Sequence, residues 1–149
     1  MLLLWASPCW AQADEFMRTV SFALSGNDHT ELKVIADRPK CVFAINNDLF
    51  RLNNVQTDRI TILERRRRGD LEQWVAVGLH GDAAVFEATI EPPKDDGSEL
   101  MRQMREASPE LFKAHTYTYT DTELDLMTSD LDRVKRAWQF IYANGCVGK

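Results

Sequence analysis

The sequence is poor in the features that mark membrane proteins, metal proteins and common hydrolases. No stretch approaches the ~20 consecutive apolar residues that a membrane-spanning helix needs. Three of the 149 residues are cysteines, and none has the CxxC or Cys/His spacing of a structural zinc site. The serine motifs GxSxG and SxxK are also missing. We therefore predict no cofactor, no metal ion, no transmembrane segment and no standard catalytic serine.

Positive charge is also in deficit. Lys and Arg number 18 against 23 Asp and Glu, which gives a formal net charge of −5. Nucleic acids and anionic membranes attract basic proteins, so this balance argues against both as general partners. An apolar content of 44% over 149 residues is sufficient for one domain with its own core.

The first 13 residues have the pattern of a secretory signal peptide. A short apolar run over residues 2–5 precedes the small-x-small pattern of residues 11–13, AQA. No basic residue precedes the run, which a start codon placed too far downstream would explain. We predict cleavage before Asp14, one domain over residues 14–149, and a periplasmic or secreted location. The alternative is an ordinary buried amino-terminal segment.

Removal of that segment takes Cys9 with it and leaves two cysteines, Cys41 and Cys146. Two cysteines in an exported domain usually pair with each other. We therefore predict a Cys41–Cys146 disulfide, closing a loop of about 100 residues that the chain-entropy model values at ~4–5 kcal/mol. The alternative is two buried, reduced thiols in a cytosolic protein.

Alternating apolar and polar residues predict a core rich in strands. Residues 41–63, CVFAINNDLFRLNNVQTDRITIL, predict short strands separated by Asn-rich turns, because Asn tolerates left-handed backbone. The same alternation predicts strands over residues 18–25, 31–36, 56–66, 71–79, 84–90, 115–120 and 123–127. Short polar turns between them favour antiparallel pairing.

The carboxyl-terminal third changes to a helical period. Ser98 is placed to cap a helix that ends at Ala107, and Pro109 begins a shorter helical turn. The last helix follows a predicted cap at Ser129, and its apolar face comprises Leu131, Val134, Trp138 and Ile141.

Gly145 and Cys146 follow the last helix directly. A glycine suits the left-handed position after a helix, and the predicted disulfide would then fasten the helix to the sheet. The predicted class is α+β: an antiparallel, sandwich-like β core with a short helix and a carboxyl-terminal helix tethered by a disulfide.

Four consecutive arginines, Arg65, Arg66, Arg67 and Arg68, form a candidate anion-binding group. Guanidinium groups bind phosphates, lipid headgroups and acidic partners. Neighbouring side chains of a strand point to opposite faces, however, so a solvated hairpin tip is the simpler interpretation.

The three histidines, His29, His80 and His115, lie in separate segments and lack the spacing of a metal site. A catalytic role would require these distant segments to converge on a carboxylate. We expect surface or partly buried histidines instead.

Two further groups lie on predicted strands. Asp121, Glu123 and Asp125 share one strand face and could hold a cation, although they lack the glycine and the spacing of a calcium loop. Tyr117 and Tyr119 also share a face, where they could stack on a glycan or a peptide, or pack under a helix.

The order of elements in the last third carries a resemblance. Residues 100–104, the strand residues 115–120, residues 124–126 and a helix from Leu131 that ends at Cys146 occur in that order. This order resembles small periplasmic proteins of Gram-negative bacteria related to invasion-associated locus B proteins and to type VI secretion accessory proteins. The glycine that precedes the last helix in those proteins is missing here. The resemblance implies a β-rich periplasmic domain with one disulfide, and it transfers no catalytic residue.

Together these observations predict an exported, non-catalytic accessory or binding protein of the bacterial cell envelope, acting on a protein or a glycan. Two alternatives stay open. One is a small envelope hydrolase with a dispersed site, and the other is an anion-binding module that uses the arginine run.

Overall fold

The computed structural model describes residues 9–27, 40–67, 69 and 72–149, and of residues 9–14 only the backbone. The helices are α1 (Cys9–Ser25), α2 (Glu99–Ala107) and α3 (Leu131–Asn144). The strands are β1 (Val42–Ile45), β2 (Asp48–Arg51), β3 (Thr61–Arg66), β4 (Gln73–His80), β5 (Phe86–Ile90), β6 (His115–Tyr119) and β7 (Asp121–Leu126). Short 3₁₀ helices lie at Leu52–Asn54, Thr57–Arg59 and Pro109–Phe112. The predicted α+β class is confirmed.

The strands form two antiparallel sheets. The first sheet has the order β1-β2-β5-β6 and the second has the order β3-β4-β7. The consecutive strands β6 and β7 belong to different sheets, and Thr120 alone joins them. The backbone N–H of Gly81 donates to the carbonyl oxygen of Thr120 at 2.8 Å, and that of Val85 to Tyr119 at 2.9 Å. These bonds hold the corner at which the chain passes from one sheet to the other.

Helices α1 and α3 pack on each other and on the second sheet. Val75, Val77 and Leu79 of β4 alternate toward them and are buried. They share one hydrophobic cluster with Trp138 and Ile141 of α3. The predicted apolar face of the last helix is therefore confirmed.

The predicted strand over residues 18–25 is wrong, because this segment forms the second half of α1. Val20, Phe22 and Leu24 are buried as the alternation required, but so are Ser21 and Ala23 between them. The segment lies between α3 and β7 and is covered on more than one side. When a segment is buried on several sides, apolar residues occur at most of its positions. Their spacing then no longer distinguishes a strand, with a period of 2, from a helix, with a period of 3.6. The predicted strand over residues 31–36 lies outside the described residues.

The first turn of the 41–63 stretch follows its prediction. Asn46 has a positive φ of 54° in the two-residue turn that pairs Ile45 with Asp48. The strand predicted over residues 56–66 is shorter than expected: it begins at Thr61, after the 3₁₀ helix Thr57–Arg59.

Helix α2 forms where it was predicted, with the Ser98 hydroxyl accepting the Met101 N–H at 3.2 Å. None of its residues is buried, and its nearest partner is the Pro109–Phe112 turn. Leu100 and Leu111 are 65% and 55% exposed. Helix α2 therefore adds no buried side chain to the core.

Both predicted ends of α3 need correction. The N-cap is Asp130, one residue after the predicted Ser129, because its Oδ1 accepts the Arg133 N–H at 3.0 Å. Gly145 has a φ of −168°, which is extended backbone rather than the predicted left-handed form. A Cβ at Gly145 would lie 2.6 Å from Phe16 Cε2. The absence of a side chain here thus permits close packing of α1.

The Cys41–Cys146 disulfide is present, with 5.5 Å between the Cα atoms and both residues buried. It spans 105 positions and joins the residue before β1 to the end of α3. Among the helices the structure describes, none is both long enough and apolar enough to cross a membrane.

Candidate ligand-binding groove

An open groove of ≈ 370 Å³ lies between the first sheet and β7, the outer strand of the second sheet. We call it the sheet groove. Ile45, Phe50 and Phe86 form its wall on the first sheet, and Leu24 and Leu124 face them. The end of α1 closes one side, because Leu24 and Ser25 belong to that helix.

The register of the first sheet explains why the wall is aromatic. Phe43 pairs with Phe50, Phe50 with Phe86, and Phe86 with Tyr119 across four neighbouring strands. The ring centroids of Phe50 and Phe86 are 5.0 Å apart, and those of Phe86 and Tyr119 are 5.8 Å apart. Exposure rises along the row, from 0% at Phe43 to 44% at Tyr119. The core thus continues to the surface as a row of rings.

The next row on the same face contains Tyr117, which pairs with Ala88. Tyr117 is 47% exposed and does not pack under a helix of the described chain, so its ring is open to a ligand. The prediction that Tyr117 and Tyr119 share a face is therefore confirmed. Both lie on β6, the strand beside Phe86 at the edge of the first sheet, and neither is among the described lining residues of the sheet groove.

The opposite side of the sheet groove is a strand edge. Four consecutive β7 residues, 122–125, line it. In the described part of the chain, β7 pairs with β4 alone. Half of the backbone N–H and C=O groups of such an outer strand point away from its sheet.

Three carboxylates border the sheet groove: Asp48, Glu123 and Asp125. No lysine or arginine is among its described lining residues. Glu123 has an ion pair with Arg65 at 3.4 Å. Within the described residues, the carboxylates of Asp48 and Asp125 have neither an ion pair nor a hydrogen bond, so both can accept a basic group from a ligand.

The Ser25 hydroxyl of the lining is not arranged for nucleophilic attack. Ser25 Oγ donates to the carbonyl oxygen of Ser21 at 2.6 Å and accepts the Asn27 N–H at 3.1 Å. A catalytic serine needs a neighbouring general base to take its proton. Neither histidine nor cysteine is among the described lining residues.

The described side chains of the arginine run do not converge on one site. Arg65 pairs with Glu123, while Arg67 pairs with Glu72 at 3.3 Å. Arg66 lies between them on the opposite face of the strand by alternation. Arg68 lies outside the described residues. The carboxylates at Arg65 and Arg67 would compete with an external anion.

A second, more open cavity of ≈ 690 Å³ lies on the other side of β4 and β7, and His80 and Asp121 are both part of its lining. They are cross-strand neighbours, but no hydrogen bond joins their side chains in the described structure. His115 Nε2 is 2.8 Å from the carbonyl oxygen of Glu110, and His29 is outside the described residues. The described histidines therefore do not converge.

The acidic triplet Asp121, Glu123 and Asp125 shares the outer face of β7, as predicted. The three carboxylates follow one strand instead of surrounding a point. No cluster of His, Cys, Asp or Glu among the described residues has the geometry to hold a metal ion.

Sequence analysis did not identify Phe50, Phe86 or Asp48 as site residues. The Asn-rich turn predicted that β1 and β2 pair, but the pairings of β2 with β5 and of β5 with β6 are long-range. Only those pairings bring the rings into one row.

No protein-family model, no curated protein and no solved structure matches this chain. The resemblance of its last third to invasion-associated locus B and type VI secretion accessory proteins stays a prediction.

Proposed function

We propose that this chain is a non-catalytic binding protein of the bacterial cell envelope that holds its ligand in the sheet groove. One observation carries the proposal: an open groove with an aromatic wall, a strand edge and unpaired carboxylates. Ligand sites combine apolar surface with a few polar groups that orient the ligand.

The envelope location is supported by the disulfide, since such bonds persist in oxidising compartments. The signal-like pattern of residues 1–13 supports it further. Cleavage before Asp14 falls within α1, but the described buried side chains of that helix begin at Phe16. The described buried side chains of α1 would therefore remain in the mature chain.

The absence of turnover in this proposal follows from the occupied Ser25 hydroxyl and from the composition of the lining. Carboxylates can also act as general acids and bases, so the proposal requires that a bound ligand be recovered unchanged.

The proposal is tested on peptide and glycan arrays with the disulfide-bonded protein and two variants. Phe86→Ser removes a ring from the groove wall, and Leu63→Ser is the matched control, because Leu63 is 53% exposed on the other sheet. We expect array ligands that bind the wild type and L63S, bind F86S about tenfold more weakly or worse, and are recovered unchanged.

Failure of every array ligand, equal losses in both variants, or chemical conversion of the ligand would each contradict the proposal. The near-ultraviolet circular dichroism of both variants confirms that they are folded before binding is compared.

A further inference from the structure

The sheet groove exposes backbone groups of β7 as well as side chains, and the proposed function has not yet assigned these backbone groups a ligand. We infer that the sheet groove takes an extended basic peptide, which adds to the edge of β7 that is unpaired in the described chain, as a fourth strand of the second sheet. This inference rests on the proposed function, because it assigns a ligand class to the same groove.

The free edge supplies the backbone part of the recognition. Unpaired N–H and C=O groups of an outer strand bind an extended peptide through a new ladder of hydrogen bonds. Residues 122–125 all line the groove, although their side chains alternate between the two faces of the second sheet. Since β7 is also the outer strand of its sheet in the described chain, the groove gives a ligand access to this strand.

The two faces of β7 differ in polarity, so the peptide should present different side chains on its two faces. Toward the inside lie Leu124 and, across the groove, Phe50 and Phe86. Toward the outside lie Glu123 and Asp125. Because cross-strand neighbours interact directly, the matching peptide has apolar residues at every second position and basic residues between them.

Charge favours a basic ligand over a neutral one. Asp48 and Asp125 have no ion pair or hydrogen bond within the described residues, no basic side chain is among the described lining, and the whole chain has a net charge of −5. A glycan could stack on the rings and donate its hydroxyls to these carboxylates, but it would not extend the backbone ladder of β7. A second copy of this acidic chain would be repelled over longer distances.

The length of the added strand is bounded at both ends of β7. At one end the chain turns through Thr120 into the other sheet. At the other end Gly26, with a φ of +74°, lies so close that a Cβ would be 3.2 Å from Leu126 Cβ and 3.3 Å from Met127 N. About five residues of β7 therefore remain accessible, roughly 17 Å at the usual strand rise.

The test uses acetyl-Lys-Phe-Lys-Val-Lys-Phe-amide, labelled for fluorescence anisotropy, with the disulfide-bonded protein. Two further peptides carry N-methyl groups, one on the three lysines and the other on the three apolar residues. The N–H groups of a strand alternate sides, so only one of these sets faces β7. We expect one N-methylated peptide to bind about tenfold more weakly than the parent, and the other to bind like the parent.

Charge is tested separately on both partners. Replacing the three lysines with glutamates should weaken binding about tenfold or more, and added salt should weaken the parent peptide. On the protein, Asp125→Asn should weaken binding, whereas Asp58→Asn, an exposed carboxylate outside the groove, should not. Amide resonances of residues 121–125 should shift on titration with the peptide.

Equal binding by the two N-methylated peptides, or no preference for lysine over glutamate, would overturn strand addition. If the parent peptide fails while an array ligand is still lost on Phe86→Ser, the proposed function stands and this inference does not. If neither peptide nor array ligand binds, both fail.

Discussion

Gly145 shows at the residue scale how one missing side chain sets a helix contact. The ring of Phe16 occupies the place where a Cβ would stand, at 2.6 Å. We predict that Gly145→Ala lowers the free energy of unfolding by about 1–3 kcal/mol, because α1 must shift. Gln139→Ala on the exposed face of α3 is the control and should change it by no more than about 0.5 kcal/mol. Equal midpoints in urea for the two variants would contradict this packing role.

The hydroxyl oxygen of Tyr142 is a second single-atom contribution to stability. Its hydroxyl donates to the carbonyl oxygen of Leu52 at 2.8 Å, and burial raises the pKa of this phenol above its usual range. We predict that Tyr142→Phe costs about 1–2 kcal/mol, since the carbonyl loses its partner. Tyr117→Phe makes the same chemical change at an exposed ring and should leave the urea midpoint unchanged.

Helix α2 differs from the other helices at the element scale, because none of its residues is buried. Its stability comes from the Ser98 cap and from ion pairs of Arg102 with Glu99 and Glu106. We predict that Ser98→Ala accelerates hydrogen exchange in α2 by roughly three- to tenfold, equivalent to ~1 kcal/mol of cap energy, while exchange in α3 stays the same. Equally accelerated exchange throughout the chain would not fit a locally stabilised helix.

Acid should melt α2 before the core. Hydrogen bonding to Arg102 lowers the pKa of Glu99, and bonds to Ser98 lower the pKa of Asp96. A carboxylate whose pKa is lower in the folded state stabilises that state above its unfolded pKa, and the effect disappears as the pH falls through the folded pKa. We therefore expect the Cα chemical shifts of α2 to lose helical character below pH ~4, with α3 still helical. Glu99→Gln should show less helix at neutral pH and a smaller change on acidification.

The identity of the α3 N-cap can be tested by comparing a variant of Asp130 with a variant of its neighbour Ser129. Asp130→Ala removes the acceptor of the Arg133 N–H and should destabilise the protein by about 1 kcal/mol. Ser129→Ala should change the free energy of unfolding little, because Ser129 does not provide the cap side chain. The reverse order of the two effects in urea denaturation would restore Ser129 as the cap.

The whole molecule depends on the covalent link between Cys41 and Cys146. Reduction opens a loop spanning 105 positions, and the chain-entropy model places the loss at about 4–5 kcal/mol. We predict a lower urea midpoint for the reduced protein and for Cys146→Ser. Asp58→Asn, at an exposed carboxylate, is the control and should behave like the wild type, with the disulfide retained by mass spectrometry. Equal urea midpoints for the reduced and oxidised proteins would contradict the prediction that the disulfide stabilises the fold.

The sequence by itself determined the local features of this protein. Two cysteines, the Asn46 turn, the Ser98 cap and the apolar face of α3 follow from residues that are close together in the chain or from simple thiol chemistry. Apart from the disulfide, which follows from the count of two cysteines, these features could be predicted because the energies that favour them act over a few residues.

Tertiary structure alone decided the rest. The apolar residues of 18–25 are compatible with a strand or a helix, because the segment is buried on several sides. Packing on α3 and β7 favours the helix. Gly145 is required by the Phe16 ring, which is distant in sequence. The sheet groove exists because long-range pairings place Phe50 beside Phe86, and because Thr120 redirects the chain into a second sheet. Contacts between segments far apart in the chain leave no periodic signal within either segment.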